Sequence, residues 1–205
     1  MKAKRIIAII LVCLCAVLIF SGCNGEKENP KVQVEMENGG VFVLELYPEY
    51  APKTVDNFVK LVEEGFYDGL VFHRIMDGFM AQGGGFDVDG NKKPADSIDG
   101  EFAENGFTQN TLEHTKGVIS MARADTSYYG DPIPGYNSAS SEFFIMYDFP
   151  RHSSVLDGKY AAFGKVIEGM EVVDKFLEVE RIYNSGGELA VPVEPVIIKK
   201  MTVLK

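Results

Sequence analysis

The chain has 205 residues, of which 46% are hydrophobic and 24% charged, so its composition is that of one globular domain with its own core. Its formal net charge is −10, and it becomes −13 without the first 22 residues, which contain three basic side chains and no acid. Such an acidic surface argues against nucleic acid as a partner and against adsorption to anionic lipid.

The N-terminal segment predicts export. Residues 1–5 carry three positive charges and precede the 15 apolar residues 6–20, a run short for a membrane-spanning helix but typical of a secretory signal. The run ends in "FSGC", which resembles a bacterial lipoprotein signal with lipidation at Cys23; an uncleaved signal anchor is the alternative. We predict a signal peptide over 1–22, a tether over 23–30 and a folded domain over 31–205, held outside the cytoplasm by the lipid.

Cysteine usage agrees with this division. Cys13 and Cys15 lie inside the apolar run and leave with the signal, so only Cys23 remains. The mature domain then has no internal disulfide and no thiol nucleophile.

The first elements of the domain are a hairpin and a helix. "KVQVEMENGGVFVLELY", residues 31–47, alternates apolar and polar positions on both sides of a glycine-containing turn, which predicts a β-hairpin. The next segment, residues 51–65, places Val55, Phe58, Val59 and Val62 at helical spacing. Pro52 suits its first turn and Gly65 its C-terminal stop.

Short strand-like runs separated by glycines follow: "LVFHRI", "FMAQGG", "GVISMA", "SEFFIMY" and "AAFGKVI". A second helix is predicted from Gly169 to about Glu178, with Val173, Phe176 and Leu177 on one face. "VIIKKMTVLK" predicts a final strand. Many short strands with two helices indicate an antiparallel barrel or sandwich rather than an alternating parallel sheet.

Several familiar motifs are excluded by their details. "DVDGN" begins like a calcium loop, but Lys92 stands where glycine is needed and Ile98 where a bidentate glutamate belongs, so a solvated turn is predicted. "GGGF" opens no phosphate-binding helix. The three histidines share no zinc-ligand spacing, and no serine lies in a nucleophile elbow. No metal or cofactor is predicted.

One arginine lies inside an apolar run, "VFHRIMDGFMAQGGG". A buried guanidinium is costly without partners, so Arg74 either pairs with one of the 30 acidic residues or lines a cleft. On a strand, Arg74 points away from His73 and Ile75 and does not share their face. Phe79, Met80 and Gln82 follow, and beside a fixed cation they indicate an apolar pocket with a polar edge.

The segment "FHRIMDGFMAQGG" resembles the signature of the cyclophilin-type peptidyl-prolyl cis-trans isomerases. The resemblance continues in family order through "IDGEFAENGF", "GVISMARA", "NSASSEFFI" and "LDGKYAAFGKVIEGMEVVD", and covers roughly residues 31–205. It implies a mainly β fold, a closed eight-stranded antiparallel β-barrel capped by two α-helices. It also implies catalysed rotation about the bond that precedes proline.

The resemblance assigns roles to particular residues. It makes Arg74 the catalytic residue, a hydrogen-bond donor to the prolyl peptide. It gives the proline ring a pocket of Phe79, Met80, Phe144 and Leu156, with Gln82 as its polar edge. The remaining substrate-binding positions are Ala122, Arg123, Ala124, Glu142 and Tyr160. The implied partners are unfolded or extended, proline-containing polypeptides. The expectation of a single domain separately favours a monomer.

Three positions depart from the family pattern. Glu142 replaces the usual glutamine, so it either pairs with Arg74 and weakens it or favours basic substrates. Val155 stands where many eukaryotic members have tryptophan, which predicts weak cyclosporin binding. Tyr160 replaces a histidine and is expected still to close the pocket.

Residues 125–140 form an insertion beside the peptide-pairing segment. Tyr128, Tyr129, Ile133 and Tyr136 are predicted to be exposed there, either as decoration or as added contacts beyond the proline. For the whole chain we predict a lipid-anchored folding catalyst for exported proteins. The alternatives are a non-catalytic module that binds proline-containing peptides and a membrane-tethered scaffold.

Overall fold

The computed structural model describes residues 28–126, 129–147 and 153–204. The predicted signal peptide, the predicted lipidation site Cys23, most of the predicted tether and Tyr128 lie outside these residues. Ten strands are present in the described part: β1 Lys31–Met36, β2 Val41–Leu46, β3 Val71–Met76, β4 Met80–Gly83, β5 Val118–Met121, β6 Phe143–Met146, β7 Ala162–Glu168, β8 Arg181–Tyr183, β9 Leu189–Pro192 and β10 Val196–Leu204.

Eight of these strands close into a barrel in the order β1-β10-β3-β4-β6-β5-β7-β2, and every neighbouring pair is antiparallel. The predicted fold class is therefore confirmed. The first hairpin pairs Lys31 with Glu45 and Glu35 with Val41, as its alternation indicates. The separate two-stranded sheet of β8 and β9, which lies outside the barrel order, was not predicted.

The first helix, α1 (Pro52–Glu63), begins and ends as predicted, with Pro52 in its first turn and Gly65 in a left-handed conformation just after it. The side chain of its N-cap residue, Ala51, forms no capping hydrogen bond. The buried carboxylate of Glu101 does so instead, accepting hydrogen bonds from the backbone N–H groups of Lys53 (3.0 Å) and Thr54 (2.8 Å). A negative group at this end also complements the helix dipole.

The remaining helices are short. They are α2 (Ile133–Tyr136), α3 (Ser153–Leu156), α4 (Met170–Asp174), and the 3-10 helices Ala103–Asn105 and Lys175–Glu178. The predicted second helix is thus α4 continued by a 3-10 turn, and it buries Val173 and Phe176 as expected, with Leu177 partly buried. No helix in the described part of the chain is long and apolar enough to span a bilayer.

The main core fills the barrel and the underside of α1. Its centre is a group of aromatic rings in tilted and edge-to-face contact, 4.9–5.7 Å between centroids: Phe58, Tyr67, Phe72, Phe143, Phe163 and Phe176. A second, smaller apolar cluster is separate from it and includes Met80, Phe144, Met146 and Leu156. Met80, Phe144 and Leu156 of this second cluster line the groove described below.

Candidate active site

A β-bulge in β3 decides where Arg74 points. Phe72 pairs with Gly83 and Arg74 with Gln82, so β3 has one extra residue, His73, against its partner β4. Phe72 and Ile75, three residues apart, both reach the main core, whereas Arg74 stays partly exposed. Bulges next to active sites commonly re-aim a side chain in this way. An arginine fits inside an apolar run here because its position lies outside the barrel core.

The strand registers bring three predicted residues together. Arg74 is opposite Gln82 on β4, and Gln82 is opposite Phe144 on β6. Residues directly opposite each other in an antiparallel sheet share a face. The cation, the amide and the aromatic ring therefore lie side by side across three strands.

An open groove of about 300 Å³ lies against this face. Asp125 lines it. So do nine of the predicted site residues: Arg74, Phe79, Met80, Gln82, Ala122, Arg123, Phe144, Leu156 and Tyr160. A second cavity of about 380 Å³ adjoins the groove and shares its Phe79, Arg123 and Tyr160 walls. Ala124 and Glu142 do not line the groove. The Ala124 N–H donates to Ser138 Oγ (2.8 Å), and its carbonyl accepts from Arg123 Nη1 (3.0 Å).

Arg74 both pairs with an acid and lines the cleft. Its Nε and Nη2 donate to the two carboxylate oxygens of Glu188, at 2.9 and 2.6 Å, and its Nη1 donates to Gln82 Oε1 at 3.4 Å. The guanidinium also lies 5.9 Å from the centre of the Phe79 ring. The hydrogen bonds from Arg74 hold the pKa of Glu188 below its ordinary value, so the carboxylate is charged at neutral pH.

Glu142 does not pair with Arg74, so the first of the two expectations for this residue is wrong. Its carboxylate accepts from Gln82 Nε2 (3.0 Å) and lies 2.9 Å from Lys92 Nζ. His73 Nε2 is 3.6 Å away, but burial lowers the pKa of His73, which favours the neutral ring. Because a carboxylate only accepts hydrogen bonds, Glu142 fixes the Gln82 amide with its oxygen toward Arg74.

The floor of the groove is held from beneath by a buried polar chain. The imidazole of His114 is stacked on the Phe144 ring, with 6.0 Å between centroids. Its Nδ1 is 2.8 Å from Asp157 Oδ1 and its Nε2 is 3.0 Å from Ser120 Oγ. Burial lowers the pKa of His114, so the neutral ring donates from Nδ1 to Asp157 and accepts from Ser120. The Phe144 ring in turn meets the Tyr160 ring edge-on at 5.9 Å.

Comparison with known proteins decides the family. Residues 31–203 match the family described as cyclophilin type peptidyl-prolyl cis-trans isomerase/CLD. The chain belongs to this family. It is 36% identical over 206 residues to peptidyl-prolyl cis-trans isomerase A of Dickeya dadantii, with 99% of each chain covered. It is 37% identical over 171 residues to isomerase B of Escherichia coli, covering 82% of this chain and 95% of that relative.

Solved cyclophilin structures show the same architecture. The structure resembles a crystal structure of a Cryptosporidium parvum cyclophilin-type isomerase with a TM-score of 0.62 at 26% identity, over 86% of this chain and 98% of that one. The crystal structure of that enzyme in the presence of the dipeptide Ala-Pro gives a TM-score of 0.61 at 27% identity, over 85% and 99% of the two chains. The predicted enzyme class, peptidyl-prolyl cis-trans isomerase, is confirmed and takes precedence over the two non-enzymatic alternatives.

The insertion of this cyclophilin packs on the second arginine of the groove. Arg123 lies 4.4 Å from the Tyr160 ring centre, 5.1 Å from that of Tyr136 and 5.3 Å from that of Phe102. Tyr136 was expected to be exposed, and this expectation is wrong: it is 8% exposed, and its hydroxyl donates to Glu104 (2.9 Å). Its ring is buried because Arg123 and Phe102 supply contact surfaces that lie far away in the sequence.

Two other residues of the insertion behave as expected. Tyr129 and Ile133 are 83% and 66% exposed, respectively. Val155, at the position where many eukaryotic relatives have tryptophan, is also exposed and lines the adjoining cavity. The insertion therefore anchors on Tyr136 and presents apolar side chains outward.

Glu188 was not predicted as a site residue, although Arg74, which it contacts, was. The turn "NSGG" between apolar residues, 184–187, is a hairpin signal that indicates β8 and β9. No local pattern shows which of the 30 acids meets Arg74, because the two residues are 114 positions apart. His114 and Asp157 were missed for the same reason.

Proposed function

We propose that this isomerase is a lipid-anchored, extracytoplasmic folding catalyst in which Arg74 stabilises the twisted prolyl amide. The observation that carries the proposal is one juxtaposition. A permanently charged guanidinium, fixed by two partners, lies at the edge of an open apolar groove lined by Phe79, Met80 and Phe144. Rotation about the prolyl bond breaks no covalent bond, so the site needs neither a nucleophile nor a metal ion for this reaction.

The required stabilisation is set by the amide itself. The prolyl bond isomerises in tens to hundreds of seconds unaided, over a barrier of about 18–20 kcal/mol. Turnover in milliseconds needs about five decades of rate, or about 7 kcal/mol. The gain must come from binding the twisted amide more tightly than either planar form.

Arg74 supplies part of this energy. As resonance is lost, the proline nitrogen gains a localised lone pair, and a guanidinium N–H donates to it. One charge-assisted hydrogen bond contributes about 1.5–3 kcal/mol, so the arginine alone does not account for the whole effect. The rest comes from the groove, which removes water and holds the ring on Phe144 and Met80 while the preceding carbonyl turns.

The substrate in this proposal is an extended polypeptide that follows Ala122 and Arg123. The apolar side chains of the insertion, Tyr129 and Ile133, add contacts beyond the proline. Shortening residues 129–135 is then expected to raise KM for a long unfolded substrate more than for a prolyl tetrapeptide; equal effects would remove this part of the proposal. The missing tryptophan at Val155 predicts weak cyclosporin binding, and a nanomolar Kd would contradict it.

The location rests on the sequence of the leader. The basic start, the apolar run and "FSGC" support export and lipidation at Cys23, and the acidic domain supports attachment by the lipid alone. In cells supplied with radiolabelled palmitate, the wild-type chain is expected to take up label and the Cys23→Ser variant is expected to take up none. Equal labelling of the two proteins would refute lipidation at this residue.

The catalytic assignment is tested by Arg74→Ala. The side chain is partly exposed, so the variant is expected to fold normally. It should nevertheless lose most of its activity in a protease-coupled assay on a proline-containing peptide. Full activity in a folded Arg74→Ala protein would refute the role of this residue. The family membership would be unaffected.

A further inference from the structure

Glu188, on the hairpin of β8 and β9, contacts the guanidinium on the side opposite Gln82. We propose that Glu188 is a positioning residue for the isomerase reaction: its carboxylate fixes the rotation of the Arg74 guanidinium so that Nη1 faces the groove. The inference rests on the proposed role of Arg74. It adds a residue from outside the barrel to the machinery of the site.

The geometry of the pair is that of a two-point clamp. The planar fork of Arg74 meets both carboxylate oxygens at once, Nε at 2.9 Å and Nη2 at 2.6 Å. Two parallel hydrogen bonds between planar groups fix orientation as well as distance, which a single bond does not. The clamp therefore determines which edge of the guanidinium remains for the groove.

Glu188 is itself held in place before any substrate binds. Asn184 Nδ2 donates to Glu188 Oε2 at 2.8 Å, while Asn184 Oδ1 accepts from the backbone N–H groups of Glu188 and Gly186, at 3.0 and 2.9 Å. The Asn184 N–H donates to the Glu188 carbonyl at 2.9 Å and closes the turn. A carboxylate held this way positions its partner with little rearrangement.

Counting donors shows what is left for substrate. A guanidinium has five N–H groups, and within the described residues three of them donate to Glu188 and Gln82. The clamp takes the Nε and Nη2 edge, and Gln82 contacts Nη1 over a longer distance, 3.4 Å. The N–H groups that remain are on Nη1 and Nη2, and the weakly held Nη1 is the one beside the groove residue Gln82.

The pair is too exposed for its main effect to be on stability. The Arg74 and Glu188 side chains are 27% and 35% exposed, and ion pairs of this kind contribute little to folding. Orientation of a catalytic group, in contrast, has a large effect on rate, because a displaced donor misses the transition state. A carboxylate in this place could instead weaken catalysis by neutralising the Arg74 charge. Removal of the Glu188 charge would then raise kcat, whereas a positioning role predicts that kcat falls.

The test uses the full-length chain, purified in mild detergent, and measures kcat and KM on a prolyl tetrapeptide. Glu188→Gln keeps the size of the side chain and removes its charge. It is expected to lower kcat about tenfold with less than a twofold change in KM. Glu194→Gln makes the same charge change at an exposed residue six positions along the chain, which does not line the groove, and is expected to match the wild type. Thermal unfolding is expected to be the same for all three proteins.

A double-mutant cycle with Arg74→Ala completes the test. If Glu188 acts through Arg74, adding Glu188→Gln to Arg74→Ala causes no further loss. Wild-type or higher activity in Glu188→Gln, or an equal loss in the presence and absence of Arg74, overturns this inference alone. Full activity in Arg74→Ala overturns the proposed role of Arg74 and this inference with it.

Discussion

Replacing Arg74 by lysine separates the positive charge of the site from its shape. The guanidinium donates to Glu188 from two nitrogens and to Gln82 from a third, so it is anchored while donors remain for the amide. An ammonium is one small point charge on a flexible stem, and the nearby Glu188 carboxylate is its strongest partner. Lysine at this position is therefore expected to pair with Glu188 and to leave the groove.

The size of the effect follows from the bond that is lost. One charge-assisted hydrogen bond to the twisted amide contributes about 1.5–3 kcal/mol, which corresponds to a loss of about 10- to 150-fold in kcat/KM. The assay is protease-coupled isomerisation of a prolyl tetrapeptide. Arg181→Lys is the matched control, because Arg181 donates to the carbonyl oxygens of Ile75 and Leu177 and does not line the groove. A loss below about threefold in folded Arg74→Lys protein would show that charge alone suffices and would refute the reasoning.

Three further predictions test the surroundings of the site. Glu101→Ala is expected to lower the free energy of unfolding by about 3 kcal/mol in urea denaturation, since it leaves buried donors at the start of α1 unpaired. Asp99 forms an exposed ion pair with Lys53, so Asp99→Ala should lower the free energy of unfolding much less. Burial lowers the pKa of His114 in the folded protein. As the pH falls below about 6.5, this histidine is therefore protonated in the unfolded chain before it is protonated in the folded one. Stability should therefore be full above that pH and fall below it, by at most about 1.4 kcal/mol per pH unit for this group, and His114→Gln should reduce the slope. If Glu142 favours basic substrates, Glu142→Gln should reduce the preference for basic over acidic peptides, and identical preferences would dismiss the idea.

The sequence by itself determined the barrel strands, the first helix and most of the residues that line the groove. Alternation of period two marked the first hairpin, helical spacing with Pro52 and Gly65 marked α1, and the glycine-separated apolar runs marked the barrel strands. These features are local, because each depends only on residues that are close together in the sequence. The motif around Arg74 was readable for the same reason, since Arg74 and Gln82 lie on neighbouring strands eight residues apart.

Tertiary structure decided which groups meet across long stretches of chain. Glu188 reaches Arg74 over 114 residues, and Glu101 closes a helix that starts almost 50 residues earlier. Tyr136 is buried because Arg123 and Phe102 come together around it. Long-range partners of this kind are set by how the barrel closes and by the bulge at His73, which shifts side chains between the two faces of β3. A sequence without those contacts does not distinguish one acid from the other 29.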